Sequence, residues 1–145
     1  MARAKRLYEL KIIREKSEIY LPSLQFRNSA DIYHAFNEYF AKEYREKFII
    51  LPLNAKNKLI GFHTVSIGSA TSTLVHPREV FTTVCECSAA SIILLHNHPT
   101  GDPVPSAEDL AITRRLREIG EVMGVRVLDH VIIGCNRVMG SVPFF

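Results

Sequence analysis

Apolar and polar positions recur with two periods along this chain, and the changes of period divide it into elements. Residues 6–14, Arg-Leu-Tyr-Glu-Leu-Lys-Ile-Ile-Arg, intersperse charge with Leu, Ile and Tyr and are expected as a strand that Pro22 closes off. Asn28-Ser29 is a helix start. From Ala30 to Lys47 the apolar positions Ile32, Phe36, Tyr39, Phe40 and Tyr44 follow at helical spacing, so this aromatic stripe reads as a core face. Residues 48–53 are expected as a buried strand, 54–57 as a turn and 58–67 as the second strand of a hairpin. A third short strand is expected at 72–76. Pro77 suits the first turn of a helix running to about Cys87. Residues 91–95 are continuously apolar, as a strand buried on both faces must be. After a polar loop, 96–105, Ser106 opens a long helix to about Met123, closed by Gly124. The last strands are expected at 125–133 and 137–142, joined by a turn at 134–136. The order predicts one α/β domain: a mixed sheet with flanking helices.

Composition sharpens this only by exclusion. Hydrophobic residues are 47% and charged residues 23% of 145, which excludes a disordered chain, a collagen-like one and a small disulfide scaffold. No apolar run approaches the roughly 20 residues that span a bilayer, so no membrane partner is expected. The basic start, Met1-Ala-Arg-Ala-Lys-Arg, is followed by no apolar signal stretch, and three cysteines (Cys85, Cys87 and Cys135) are an odd number that suits a reducing compartment. A cytoplasmic location is the expectation. Cys85-x-Cys87 lacks the spacing of a zinc knuckle, and both are expected as small buried hydrophobes. The net charge of +3 is too small to argue for nucleic acid. Its distribution is uneven: residues 1–16 carry +4 and the remainder −1. The plain reading is a solvated terminus and the competing one a nucleic-acid arm.

The chemistry concentrates in His96-Asn-His98-Pro-Thr-Gly-Asp-Pro-Val-Pro-Ser106-Ala-Glu-Asp109. In extended chain, side chains two apart point the same way, so His96 and His98 can converge on one ion. A loop stiffened by Pro99, Pro103 and Pro105 returns the chain to place Asp109 in the first turn of the next helix. Two nitrogens and a carboxylate are a ligand set for catalytic zinc, with a fourth position left for water. Ser106-x-x-Asp109 is also a capping-box pattern, which by itself accounts for both residues without a metal.

The spacing His-x-His-x7-Ser-x2-Asp resembles the JAMM metalloprotease-like signature at every position. Val75-His-Pro-Arg-Glu-Val80, the run from Ser91 to Pro103, and Val127-Leu-Asp-His-Val-Ile-Ile-Gly134 resemble the RadC family, over about residues 48–134. The resemblance implies an α/β fold: a three-layer α/β/α JAB/MPN (cytidine-deaminase-like) mixed sheet with flanking helices. It implies a division into an N-terminal strand and helix extension, 1–47, packed on a RadC-like JAMM domain, 48–145. It implies zinc held by His96, His98 and Asp109. Ser106 would then stabilise the oxyanion formed when water attacks a peptide or isopeptide carbonyl. Its lone pairs can accept a capping amide while its O–H points to the site.

One part of the family pattern is missing where it is expected. JAMM hydrolases carry a general-base glutamate on an earlier strand, and the strand expected at 58–67 contains no acid. Alignment puts that position at His63 or Thr64. His63 can be read as a substitute base, as a fourth ligand, or as a strand residue facing water. The nearest acids, Glu79 and Glu86, fall on the helix after Pro77. His34 is expected exposed on the N-terminal helix and His76 structural at a strand end; His130 can be read as packing or hydrogen-bonding behind the site or, equally, as a satisfied sheet histidine. Three functions follow: a zinc-dependent hydrolase acting on a peptide or protein substrate, a catalytically inactive metal-bound binding module, and an accessory to DNA repair or recombination. An open sheet edge would suit a homodimer.

Overall fold

The computed structural model describes residues 4–68 and 75–134, and the backbone of 139–141. Its elements are α1 (Ser29–Ala41), β1 (Lys47–Leu53), β2 (His63–Ile67), α2 (Pro77–Glu86), β3 (Ser91–Asn97), α3 (Ala107–Met123), β4 (Arg126–Ile133) and β5 (Met139–Ser141). One five-stranded sheet has the order β2-β1-β3-β4-β5. β3 and β4 run parallel; the other neighbours are antiparallel.

Alternation along the central strands feeds two cores. On one face Ile49, Leu51, Ile93, Leu95, Val131 and Ile133 meet Ile32, Phe36 and Phe40 of α1. On the other, Phe48, Ile50, Ile92 and Leu94 meet Val80 and Val84 of α2 and Leu116 of α3. The result is the three-layer α/β/α arrangement that the resemblance implied, and α1 supplies one whole layer of it. Among the described residues no helix is long and apolar enough to cross a membrane.

Local signals set the helix ends. Asn28 accepts from the Asp31 amide at 3.0 Å and caps α1. Gly124 closes α3 at φ 73°, a left-handed conformation that favours glycine.

Several expectations need correction. The segment 4–28 contains neither helix nor strand, and Leu7, Leu10 and Ile13 are exposed. Among the described residues no strand pairs with 6–14, and a lone strand cannot close its backbone hydrogen bonds. α1 ends at Ala41 rather than Lys47, and Tyr44 lies beyond it, exposed. β2 begins at His63; of the residues expected before it, Leu59 makes one isolated bridge to Leu53. Cys85 is exposed because α2 turns Val80, Phe81 and Val84 inward. The strand expected at 72–76 falls largely outside the described residues, as does most of the turn at 134–136. Val75 and His76 lie in no strand.

Gly120 sits inside α3 where the chain returns to β4. A Cβ there would meet the Val125 carbonyl oxygen at 2.4 Å. Helix propensity alone favours alanine by about 1 kcal/mol. Contact with fixed backbone reverses the sign, so Gly120→Ala should lower stability by about 1–3 kcal/mol in guanidinium unfolding. A gain in stability would contradict the close approach of α3 to β4.

Candidate metal centre

His96 is the sixth residue of β3 and points to the face covered by α2 and α3, in line with Ile92 and Leu94. It is 1% exposed. His98 follows one residue past the strand. Its amide donates to the Ile133 carbonyl at 2.9 Å, which keeps the chain extended long enough for both rings to lie on one side. The loop then folds on itself: Gly101 N–H donates to the His98 carbonyl at 2.9 Å, and His98 Nδ1 lies 2.7 Å from the Asp102 carbonyl. A carbonyl only accepts, so His98 carries its proton on Nδ1 and directs Nε2 inward.

Ser106 caps α3 as its sequence pattern suggests. Its Oγ accepts from the Asp109 amide at 3.1 Å, and Asp109 Oδ2 accepts from the Ser106 amide at 2.7 Å. The cap aims the carboxylate at the histidines. Asp109 Oδ1 is 3.1 Å from His96 Nε2, and Oδ2 is 3.1 Å from His98 Nε2. The two Nε2 atoms are 2.9 Å apart.

A fourth group joins them that sequence reasoning missed. Glu46 Oε1 lies 3.6 Å from His96 Nε2 and 4.0 Å from His98 Nε2. One ligand atom from each of Glu46, His96, His98 and Asp109 falls within 4.8 Å of all the others. Glu46 immediately precedes β1. Phe48 pairs with His96 in the antiparallel β1–β3 ladder, so the same register carried two residues on sets Glu46 opposite His98. The signal was an acid at the mouth of the first sheet strand, and it needed the strand pairing to be read. Asn97 fixes that mouth: its Oδ1 accepts from the Lys47 amide at 2.8 Å, and its Nδ2 donates to the Arg45 carbonyl at 3.1 Å.

The structure brings His96, His98 and Asp109 together and keeps Ser106 one capping bond away. It does not bring His63 into this group. His63 is half-buried on the edge strand β2, opposite Ile50. The row of the sheet that crosses His96 runs through Phe48 to Ser66 instead.

Behind the metal-facing side lies a second polar layer. His96 Nδ1 is 2.7 Å from His130 Nε2, and His130 Nδ1 is 2.6 Å from Thr113 Oγ1. Thr113 Oγ1 also lies 2.6 Å from the Asp109 carbonyl oxygen. Phe48 stacks on the His96 ring at 5.6 Å and meets His130 edge-on. A cleft of about 520 Å³ opens beside His98, lined among others by Tyr33, Glu38, Tyr44 and Asn97.

The electrostatics suit a cation. Burial pushes the Asp109 carboxyl up, but the neighbouring His96 and His98 rings and the Ser106 amide hold it well below the usual carboxylate range. The Asp109 hydrogen bond raises His98 against its own desolvation, helped by the Asp102 carbonyl. Burial pushes His130 well below the ordinary histidine value, and the neighbouring His96 adds to this. Two imidazole nitrogens, an ionised aspartate and an adjacent glutamate fit a small divalent cation and suit zinc.

The chain is similar to known proteins over most of its length. A family model described as RadC-like JAB domain matches residues 26–142. A UPF0758 protein of Geobacter sulfurreducens is 50% identical over 115 residues, 79% of this chain and 50% of the relative. One from Caldanaerobacter subterraneus subsp. tengcongensis is 57% identical over 93 residues, 64% of this chain and 40% of the relative. One from Pelobacter propionicus is 61% identical over 90 residues, 62% of this chain and 39% of the relative. The chain thus spans about half the length of the curated relatives it matches.

The pKa shifts give the metal-free protein a defined pH dependence. His98 is raised from 6.5, so its contribution is complete below 6.5 and is lost as pH rises through the raised value. His130 is lowered from 6.5, so its contribution is complete above 6.5 and is lost as pH falls. Asp109 adds a further loss in acid. Chelator-treated protein should therefore show its highest denaturation midpoint near pH 6.5. His130→Asn should flatten the limb just below that pH, and His98→Gln the limb above it. A midpoint unchanged from pH 5 to 8, roughly the span over which histidine titrates, would contradict these assignments.

Proposed function

The chain belongs to the RadC-like JAB domain family, and on that footing we propose that it is a zinc-dependent hydrolase of a peptide or isopeptide bond, of the JAMM type. The observation that carries this reading is the convergence of Glu46 with His96, His98 and Asp109. Zinc held by the two histidines and the aspartate would polarise a carbonyl and bring the pKa of water to about 7. The remaining work falls to the protein's own groups.

Glu46 lies beside the tight triangle of His96, His98 and Asp109, farther from each Nε2 than Asp109 is. That is the place for a base rather than a primary ligand. Its carboxylate takes the proton of the attacking water and returns it to the departing amine. Asn97 holds the backbone on both sides of Glu46, which limits how far the carboxylate can wander. Ser106 uses a lone pair of Oγ to cap α3 and keeps its O–H to donate to the oxyanion.

A catalytically inactive binding module rests on the lack of an acid in the strand expected to carry the base. Glu46 removes that reason.

Zinc-loaded protein should cleave members of a library that mixes linear peptides with lysine-ε-linked ones, read by mass spectrometry. Glu46→Gln should keep its zinc and lose roughly 10²–10⁴-fold in kcat. Asp109→Ala should lose the metal itself. If the loaded protein turns over no member, the hydrolase reading fails. If His63→Gln is the inactive variant and Glu46→Gln is not, the base has been misassigned.

A further inference from the structure

We infer that His130 and Thr113 are positioning residues: a one-way chain of hydrogen bonds from Thr113 through His130 sets which nitrogen of His96 is bare, and so sets the metal affinity of the centre. The inference rests on the metal-binding reading above and adds two residues to it. Neither touches the inward face of the site.

The direction follows from one group that has no proton to give. The Asp109 backbone carbonyl lies 2.6 Å from Thr113 Oγ1, so the threonine must spend its single proton there. At His130 Nδ1, 2.6 Å away, Thr113 Oγ1 can then only accept, and Nδ1 must carry a proton. The His130 ring is fully buried, with a hydroxyl and an imidazole as its hydrogen-bond partners, which favours the neutral ring. A neutral ring protonated at Nδ1 has a bare Nε2. That atom lies 2.7 Å from His96 Nδ1, so His96 must donate through Nδ1. The Nε2 atom of His96 is thereby left as the lone-pair donor facing His98 and Asp109.

The chain also closes on itself. Thr113 stands one helical turn after Asp109 on α3, and His130 stands on β4 opposite Leu94. Two metal ligands on different elements, Asp109 and His96, are thus linked through residues that are not ligands. Without the threonine hydroxyl, the His130 Nδ1 proton has no acceptor. The ring relieves this by moving the proton to Nε2, where it confronts His96 Nδ1. His96 must then accept at Nδ1 and place its own proton on Nε2, the atom needed for the metal.

Two measurements test this. Long-range ¹H–¹⁵N spectra of the chelator-treated protein report proton positions directly: wild-type His130 should be protonated at Nδ1 and bare at Nε2. Zinc affinity, by competition with a chromogenic chelator, should fall about 10–100-fold in Thr113→Val and in His130→Leu. Thr113→Ser, which restores the hydroxyl, should recover it. His130→Gln, whose amide oxygen can accept from His96, should recover much of the loss, and a packing role would not produce that rescue. A proton on His130 Nε2 in the wild type overturns the inference. So does zinc binding by the wild type that Thr113→Val leaves unchanged in a folded protein. A wild type that takes up no zinc overturns the metal reading itself, and the nitrogen spectra separate that failure from failure of the chain.

Discussion

Phe48 lies opposite His96 in the antiparallel pairing of β1 with β3, and the site depends on that register. Two residues outward it sets Glu46 across from His98. Two residues inward it sets Ile50 against Leu94 in the core. A slip of one residue would turn every side chain of β1 to the other face of the sheet. It is prevented because β1 fills both cores, with Phe48 and Ile50 on one side and Ile49, Leu51 and Leu53 on the other. Asn97 adds a local lock by bridging the Lys47 amide and the Arg45 carbonyl. The residue between the two histidines thus positions the glutamate's strand. Apolar burial fixes the register, and the register delivers the carboxylate.

The sheet and α3 together bury an unusual polar load between them. His96, Asp109, Thr113 and His130 are all buried. An unpartnered polar group there would cost a few kcal/mol. Each has partners, and the outer layer solves the problem by ordering donors and acceptors in one direction. The inner side is different. Two imidazole nitrogens stand 2.9 Å apart with carboxylate oxygens at 3.1 Å from each. When both Nδ1 atoms hold their protons, what faces inward is mostly lone pairs, an arrangement that a positive charge relieves. The inner cluster is therefore understood better as a receptor for a cation than as a structural network.

How much of this was legible in the sequence depended on distance along the chain. The helix from Ala107 to Met123 was readable because Ser106, Asp109 and Gly124 act within one turn of their own ends. The convergence of His96, His98 and Asp109 was readable because a two-residue step and a short loop connect them. Glu46 was not, since 50 residues separate it from His96 and only the β1–β3 pairing closes the gap. His63 drew attention because it occupies a strand without an acid. That strand is an edge, and its place in the row crossing His96 belongs to Ser66. At residues 6–14 the failure was of another kind. Leu, Ile and Tyr favour strand only where a neighbouring strand takes up the hydrogen bonds, and composition cannot say whether one is there.

The fold and the proposed metal site draw on different atoms of the same residues. Asp109 Oδ2 accepts the Ser106 amide, and the Asp109 amide is taken by Ser106 Oγ. Asp109 Oδ1 faces His96 without a capping duty. His98 Nδ1 is committed to the Asp102 carbonyl and His96 Nδ1 to His130, which leaves both Nε2 atoms uncommitted to the scaffold. A cluster built this way would need little rearrangement to accept a cation, so little binding energy would go into ordering it. Glu46, His96, His98, Asp109, Thr113 and His130 all lie within the stretch matched by the family model, residues 26–142. The geometry of the centre therefore closes inside the domain, on two central strands, the β3–α3 loop, the first turns of one helix and the residue that leads into β1.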